Sequence, residues 1–363
     1  MELDLTKLLD GLEIRTPAGK GRLTVINKGG RFIGVSYVYR RNMDRVNRTS
    51  SLVLRKNIVL NTQNVYRVAL LVSEGSHLRP NKVAKNSYFK FTNTDKAMMH
   101  EALRFFEYLI KDGNIKFELK CPPKMSKQQA VCAWASCLSG SAYTISRSSR
   151  TGTASCGAYV NKVFLTHIID RIAEATIMHI KNDKKLLRSW FAGRIDGDGS
   201  IHPTYHRIDI AYHKVDEAVL MRTEKTLLRS MGVKFVKDRL LNGKNIVVLQ
   251  ICGLDNMIKL LDPRTGLKNK VRIFCLIKRT KFYIDLNQRF RESLPVRCSN
   301  ITQQKNWTRY LNGSRRMPLS VYEGTFGTAC VHSIKDMRCG NKIIADKDVI
   351  RGILDVKRLT GGE

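Results

Sequence analysis

Two aspartates end a run of small and apolar residues, Phe191-Ala192-Gly193-Arg194-Ile195-Asp196-Gly197-Asp198-Gly199-Ser200. A helix that stops at Gly199 would carry Asp196 and Asp198 at its tip. Ala192, Gly193 and Gly197 would let a second helix approach closely. A helix with a packing face and an acidic tip suits a metal ion held between two such helices, because paired carboxylates repel and a divalent cation relieves the repulsion. Mg²⁺ prefers such oxygen ligands and keeps several waters, and a site of this kind can activate water and stabilise both oxygens of a phosphodiester displacement. Asp-Gly is also a common loop pair, so the segment takes its meaning from its surroundings.

The ten residues resemble the LAGLIDADG signature of homing endonucleases. They depart from the usual pattern at Phe191, Arg194 and Gly197. Phe191 and Gly197 are mild changes. Arg194 is not: a charge there must face solvent, nucleic acid or a carboxylate. Monomeric members of the family carry the helix twice, so a repeat is sought. Val65 to Ser76 is the candidate, ending Glu74-Gly75-Ser76 as the first segment ends Asp198-Gly199-Ser200. Aligned on that end, Glu74 falls on Asp198, Ser73 on Gly197 and Ala69 on Gly193, while Val68 replaces Ala192. The resemblance implies that Glu74 and Asp198 bind the shared Mg²⁺ (or Mn²⁺), with Ser73 and Gly197 beside them at the metal site. Asp196 is expected to be structural. A lysine ahead of the last helix of each half is a family feature thought to polarise the scissile phosphate. Lys268 fits best, Lys270 next, and in the first half Lys124 and Lys127 are the only suggestions. A lysine that merely positions phosphate is an equal alternative.

The elements that must position these groups follow from periodicity. After Ser76 comes a basic alternating stretch through Phe91, expected as a strand or hairpin. Thr94 or Asp95 opens a helix over about 96–111, with Met98, Ala102, Phe105, Phe106 and Leu109 on one face. Asp112-Gly113 stops it, and 115–120 alternates again. Helix over 126–138, strands over 142–149 and 158–163, and a closing helix over about 163–181 complete the half, its last strand pair broken by an insertion. The second half repeats the order. It has a hairpin over 201–214, a helix from a cap at Asp216 to Gly232, strands over 233–238 and 245–251 around Asn242-Gly243, and helices over 255–261 and 268–286.

The expected fold is therefore α+β: two pseudo-symmetric αββαββα repeats forming a saddle, with extra terminal segments. The expected divisions are a basic N-terminal segment 1–60, a degenerate first repeat 61–181, a second repeat 186–290 and a basic extension 291–363. The curved sheets would enter a major groove, where base edges carry a full donor and acceptor code. Candidate contacts are Arg79, Lys82, Lys85, Tyr88 and Lys90 in one half. In the other they are His202, Tyr205, His206, Arg207, His213 and Lys214.

Charge points to the same class of partner. Lys and Arg number 64 against 31 Asp and Glu, a formal net charge of +33 over 363 residues. Such a field attracts polyanions through counterion release without separating DNA from RNA. The nine cysteines form no CxxC pair, which argues against a zinc site and for reduced thiols in an intracellular setting, whether cytoplasm, nucleus or organelle. No apolar run spans a bilayer and no signal peptide is apparent, so no membrane partner is expected. The ends lack the leading Cys or Ser and the closing His-Asn of a protein-splicing element, which favours a freestanding or intron-encoded protein. The expected activity is site-specific double-strand cleavage of DNA by a monomer at a long pseudo-palindromic site, as in intron homing. The rival keeps the fold without cutting, as an RNA-binding maturase or ribonucleoprotein component, contacting phosphates, 2′-hydroxyls and unpaired bases.

Overall fold

A computed structural model describes residues 1–16, 19–27, 29–40, 47–78, 83, 84, 86, 88–111, 115–138, 142–148, 152–202, 207–233, 236–241, 245–252, 256, 260, 267 and 268. Several expectations lie outside these residues: Arg79, Lys82, Lys85, Tyr205, His206, Lys270, the Asp112-Gly113 stop, the Asn242-Gly243 turn, the helix over 268–286 and the extension 291–363. By contacts the chain divides into Met1–Asp198 with Tyr212–Arg222, and Gly199–Ala211 with Thr223–Glu363.

In the first unit, the segment before residue 60 is a β module. A short pair joins β1 (Glu2–Asp4) to β6 (Asn57–Val59), with α1 (Leu5–Leu9) following β1. Strands β2 (Glu13–Thr16), β3 (Gly19–Asn27), β4 (Phe32–Arg40) and β5 (Asn47–Arg55) form an antiparallel meander. Leu23, Ile33, Val35, Tyr37, Leu52 and Leu54 bury one face. The sequence showed only β3 and β4; β2, β5 and the β1–β6 pair are short or polar and carry little periodicity.

Helix α2 (Thr62–Glu74) starts where Asn61 Oδ1 accepts from the Asn64 amide at 2.8 Å, an N-cap. It is buried almost all round, which marks a central helix rather than a surface one. Of the strand or hairpin expected from Ser76 through Phe91, residues 79–82, 85 and 87 lie outside the described residues. Among the described residues, Leu78 bridges antiparallel to Ala84, Gly75 bridges antiparallel to Phe91, and β7 is Phe89–Asn93. Asp95 rather than Thr94 caps α3 (Lys96–Leu109), accepting from Ala97 at 2.8 Å, and all five expected face residues are buried. Arg67 of α2 pairs with the buried Glu101 of α3 at 2.8 Å.

An insertion breaks the strand pair as expected, though the returning strand runs over Ser155–Val160 rather than 158–163. β8 (Lys116–Cys121) pairs antiparallel with β10 (Ser155–Val160) across it, while α4 (Lys127–Leu138) and β9 (Tyr143–Arg147) form the excursion. β9 adds in parallel to the edge of β8, giving the order β7-β10-β8-β9. Helix α5 (Phe164–Ile180) packs against α2. Asp183 then caps α6 (Lys184–Asp198), its Oδ1 accepting from Lys185 and Leu186. Of the five described cysteines, Cys121, Cys137 and Cys156 are buried. Burial, with Cys137 nearby, pushes the Cys156 thiol up to about 12, an inert core group.

The other unit begins at Gly199. The hairpin of β11 (Gly199–His202) and β12 (Arg207–His213) forms as expected, and with β13 (Val236–Leu240) and β14 (Ile246–Cys252) gives the order β11-β12-β14-β13. Between them, α7 (Ala218–Ser230) starts after Glu217, not at Asp216. It ends in a Schellman turn: Gly232 has φ 76°, its amide donates to Arg229, and Val233 donates to Leu228. The neighbour order β12-β14-β13 matches β7-β10-β8, and the Gly199 to Ile210 pair has its counterpart in the Gly75 to Phe91 bridge. Among the described residues, no helix is long and apolar enough to cross a membrane.

Candidate metal centre and nucleic-acid face

α2 and α6 run in the same direction in direct contact. Small residues four apart lie on one face of a helix, and each helix supplies such a pair: Ala69 and Ser73, Gly193 and Gly197. A Cβ added at Gly193 would overlap the Tyr66 carbonyl oxygen and reach within 2.9 Å of Ala69 Cβ. One added at Gly197 would overlap Ser73 Cβ and come within 3.4 Å of Glu74 Cγ. The residues aligned by their spacing from the acidic ends are thus the ones that touch. Where the helices end, Glu74 and Asp198 terminate them. Two helix C-termini also present the negative ends of their dipoles there.

The partners of the two acids differ. Glu74 Oε1 accepts from Asn93 Nδ2 at 3.3 Å. Asp198 keeps 29% of its side chain exposed, and its Oδ2 lies 3.5 Å from Arg194 Nη1. Arg194 itself is fully buried. Its Nη1 also donates to Ser73 Oγ at 2.7 Å, its Nη2 is 3.6 Å from Glu217 Oε1, and its guanidinium lies 5.1 Å from the centre of the Tyr212 ring. Of the three surroundings open to Arg194, the carboxylates are the ones it takes. Ser73 Oγ in turn donates to the Ala69 carbonyl, so Ser73 and Gly197 serve here as helix-contact residues.

Asp196 is 3% exposed and accepts from Tyr66 Oη at 2.9 Å across the helix pair. This agrees with a structural role. Removing the hydroxyl leaves a buried carboxylate short of a donor, at a cost of about 1.5–3 kcal/mol. Tyr66→Phe is therefore expected to lower the urea midpoint with an unchanged slope, and an unaltered midpoint would show that this bond contributes nothing.

The donor set fits a hard cation. No group of three or more His, Cys, Asp or Glu able to hold a metal occurs among the described residues, so two carboxylates would leave most positions to water and phosphate. Mg²⁺ tolerates that arrangement well.

The exposed faces of the two sheets carry the remaining candidates. In the β11–β12 hairpin His202 lies opposite Arg207 and Ser200 opposite Asp209, while Ile201, Ile208, Ile210 and Tyr212 point inward. Alternation therefore puts His202, Arg207 and His213 on the open side. Asp209, which spacing did not single out, sits between two of them: His202 Nε2 is 3.1 Å and Arg207 Nε 2.7 Å from its carboxylate. His213 Nδ1 lies 3.4 Å from Asp216 Oδ2, and Lys214 is exposed.

On the other sheet, Tyr88 meets Tyr159 with ring centres 5.4 Å apart. Lys90 reaches over Gly157, whose missing side chain leaves the space, to an ion pair with Glu118. Burial raises the Glu118 carboxyl, but the bond and charge of Lys90, with Lys120 and Ser146, outweigh it and hold the group below the usual glutamate value. Lys268 is exposed and belongs to the unit that begins at Gly199; Lys124 and Lys127 are exposed in the first unit.

No protein-family model and no curated protein matches the chain. Solved structures do. The homing endonuclease I-DmoI is similar over 58% of this chain and 95% of its own, at 12% identity and a TM-score of 0.34. An I-DmoI variant in complex with its target DNA in the presence of Mg gives 55% and 93%, at 12% identity and 0.31. The I-SmaMI LAGLIDADG homing endonuclease bound to cleaved DNA gives 71% and 99%, at 13% identity and 0.33. The structural neighbours of this chain thus include LAGLIDADG homing endonucleases.

Proposed function

We propose that this protein is a monomeric LAGLIDADG-type endonuclease built of two pseudo-symmetric repeats, 61–181 and 186–290, that cuts both strands of a long, nearly palindromic DNA site. The observation that carries the reading is the α2–α6 pair, closed by Ala69, Ser73, Gly193 and Gly197 and ending in Glu74 and Asp198. The shared neighbour order of the two sheets supports the repeat.

Glu74 and Asp198 would hold Mg²⁺ or Mn²⁺. The bound ion would supply Lewis-acid stabilisation of the displaced phosphodiester oxygen and a more acidic water. Asn93 holds the Glu74 carboxylate, and Arg194 holds Asp198. His202, Arg207, Lys90 and Tyr88 would contact DNA from the sheet faces, and Lys268 would serve the phosphate. Hydrolysis adds water across one P–O bond of each strand, leaving a phosphate and a hydroxyl end.

The test is incubation with a randomised DNA library and Mg²⁺, with ends mapped by sequencing. Staggered double-strand cuts at one recurring site, absent with EDTA, are expected. Tight binding without cuts across Mg²⁺ and Mn²⁺ would overturn the reading.

One observation favours the non-cleaving rival: a buried guanidinium already lies beside Asp198. With a net charge of +33, such a protein would bind structured RNA, and that same binding-only outcome would point to it.

The Lys90–Glu118 pair allows a separate check of the groove face. Glu118→Gln releases the Lys90 ammonium. One freed cation is expected to tighten DNA binding several-fold and to steepen the salt dependence by about one unit of slope, as counterion release requires. Binding isotherms at several salt concentrations measure both. An unchanged slope would place this sheet face away from phosphate.

A further inference from the structure

We propose that Arg194 is a resident cation of the acidic tip, a positioning residue that ties Asp198 to the neighbouring helix and weakens binding of free divalent metal, so that metal loading depends on the phosphates of bound nucleic acid. This deepens the reading above and rests on it.

The geometry supports each part. Arg194 is fully buried inside α6, a place where an arginine costs heavily unless its charge is met. It is met from three directions. Nη1 bonds Ser73 Oγ at 2.7 Å, one residue before Glu74 on the other helix. Nη1 also lies 3.5 Å from Asp198 Oδ2, one turn along its own helix. Nη2 lies 3.6 Å from Glu217 Oε1, whose side chain is only 11% exposed. Glu217 Oε2 accepts from the His213 amide at 2.7 Å, which fixes the carboxylate. The planar fork of a guanidinium can serve several acceptors at once, and a lysine cannot reproduce it.

The electrostatic consequence follows from charge counting over Glu74, Asp198, Glu217 and Arg194. The three carboxylates carry −3, and Arg194 brings the group to −2. A divalent cation entering beside Asp198 meets a fixed positive charge a few ångströms away. Like charges at that distance in a partly buried site repel strongly. Phosphates of a bound strand would supply the missing negative charge and further oxygen ligands, so metal and nucleic acid should bind cooperatively.

Mn²⁺ binding by calorimetry, with and without a DNA duplex, tests this independently of cleavage. Arg194→Met keeps a long side chain and removes the charge. It is expected to bind Mn²⁺ on the order of tenfold more tightly than wild type without DNA and to gain more thermal stability from Mn²⁺. Glu217→Gln is the second variant, useful if Arg194→Met does not fold. With Glu217 neutral, Arg194 is left to Asp198, and Mn²⁺ binding without DNA should weaken. In wild type, DNA should tighten Mn²⁺ binding; in Arg194→Met that gain should shrink.

Equal Mn²⁺ affinity in wild type and either folded variant would overturn the inference. Asp198→Asn separates that result from failure of the metal site itself. If Asp198→Asn abolishes Mn²⁺ binding while the Arg194 and Glu217 variants leave it unchanged, the site stands and the role of Arg194 falls. If Asp198→Asn also leaves it unchanged, both fall.

Discussion

Asp198→Asn is expected to remove DNA cleavage while leaving DNA binding intact. The substitution keeps the shape of a side chain that is 29% exposed and deletes the negative charge a cation needs. A metal contributes several kcal/mol of charge stabilisation to the reaction, and at about 1.4 kcal/mol per tenfold its loss amounts to about 10³-fold or more in rate. Glu74→Gln should do the same, although its partner is Asn93 rather than an arginine. Because both acids would act on one metal pair, the double variant should be little worse than either single one. Single-turnover cleavage of the recurring library site measures the rate, and gel shift without metal measures binding. Binding should hold or improve, since one negative charge facing phosphate is gone. Cleavage within tenfold of wild type in Asp198→Asn would exclude Asp198 as a metal ligand, and the same result in Glu74→Gln would exclude Glu74.

Gly193→Ala is expected to destabilise the protein despite improving helix propensity. Alanine in place of glycine inside a helix is worth about 1 kcal/mol. Overpacking a tight core costs about 1–3 kcal/mol, occasionally more. Here the obstacle is the Tyr66 carbonyl and the Leu70 amide, both main-chain atoms of α2, so relief requires the two helices to part. The upper end of that range should win, lowering the urea midpoint, and cleavage should fall with it because the acidic tips separate. Gly197→Ala collides instead with the Ser73 side chain. Its cost should be partly recovered in the double variant Ser73→Gly with Gly197→Ala, which moves the methyl-sized group from one helix to the other. Recovery would be incomplete because Ser73 Oγ also accepts from Arg194. A double-mutant cycle reads this coupling directly, and strict additivity would mean the two positions are not in contact.

The contacts at Gly193 and Gly197 recur along both helices. The resemblance prompted the search for a second copy, and aligning its acidic end matched Glu74 with Asp198, Ser73 with Gly197 and Ala69 with Gly193. Facing residues in a parallel helix pair share the helical repeat, so an alignment of ends also aligned the contacts. The apolar face of α3 and a cap at Thr94 or Asp95 were equally legible, because both depend on residues within a few positions of one another; the structure chose Asp95.

Other features could not be read that way. β8 and β10 pair across the insertion as the sequence implied, but β9 adds in parallel to β8, a pairing decided by the sheet, not the local sequence. Asp209 and Glu118 fall among proposed DNA contacts: Asp209 lies beside His202 and meets the charge of Arg207, and Glu118 that of Lys90. Their spacing resembles that of any surface acid; strand register sets Asp209 beside His202 and Glu118 beside Lys90, while Arg207 lies two residues away on the same strand as Asp209.

The sequence by itself determined the two acid-ended helices, their small-residue faces and the strong attraction to polyanions, because these rest on periodicity, residue volume and net charge. The tertiary structure alone decided what Arg194 does. A lone arginine in an apolar helix demands compensation, but Ser73 and Glu217 lie far from it in the chain, and only folding brings them within reach of its guanidinium.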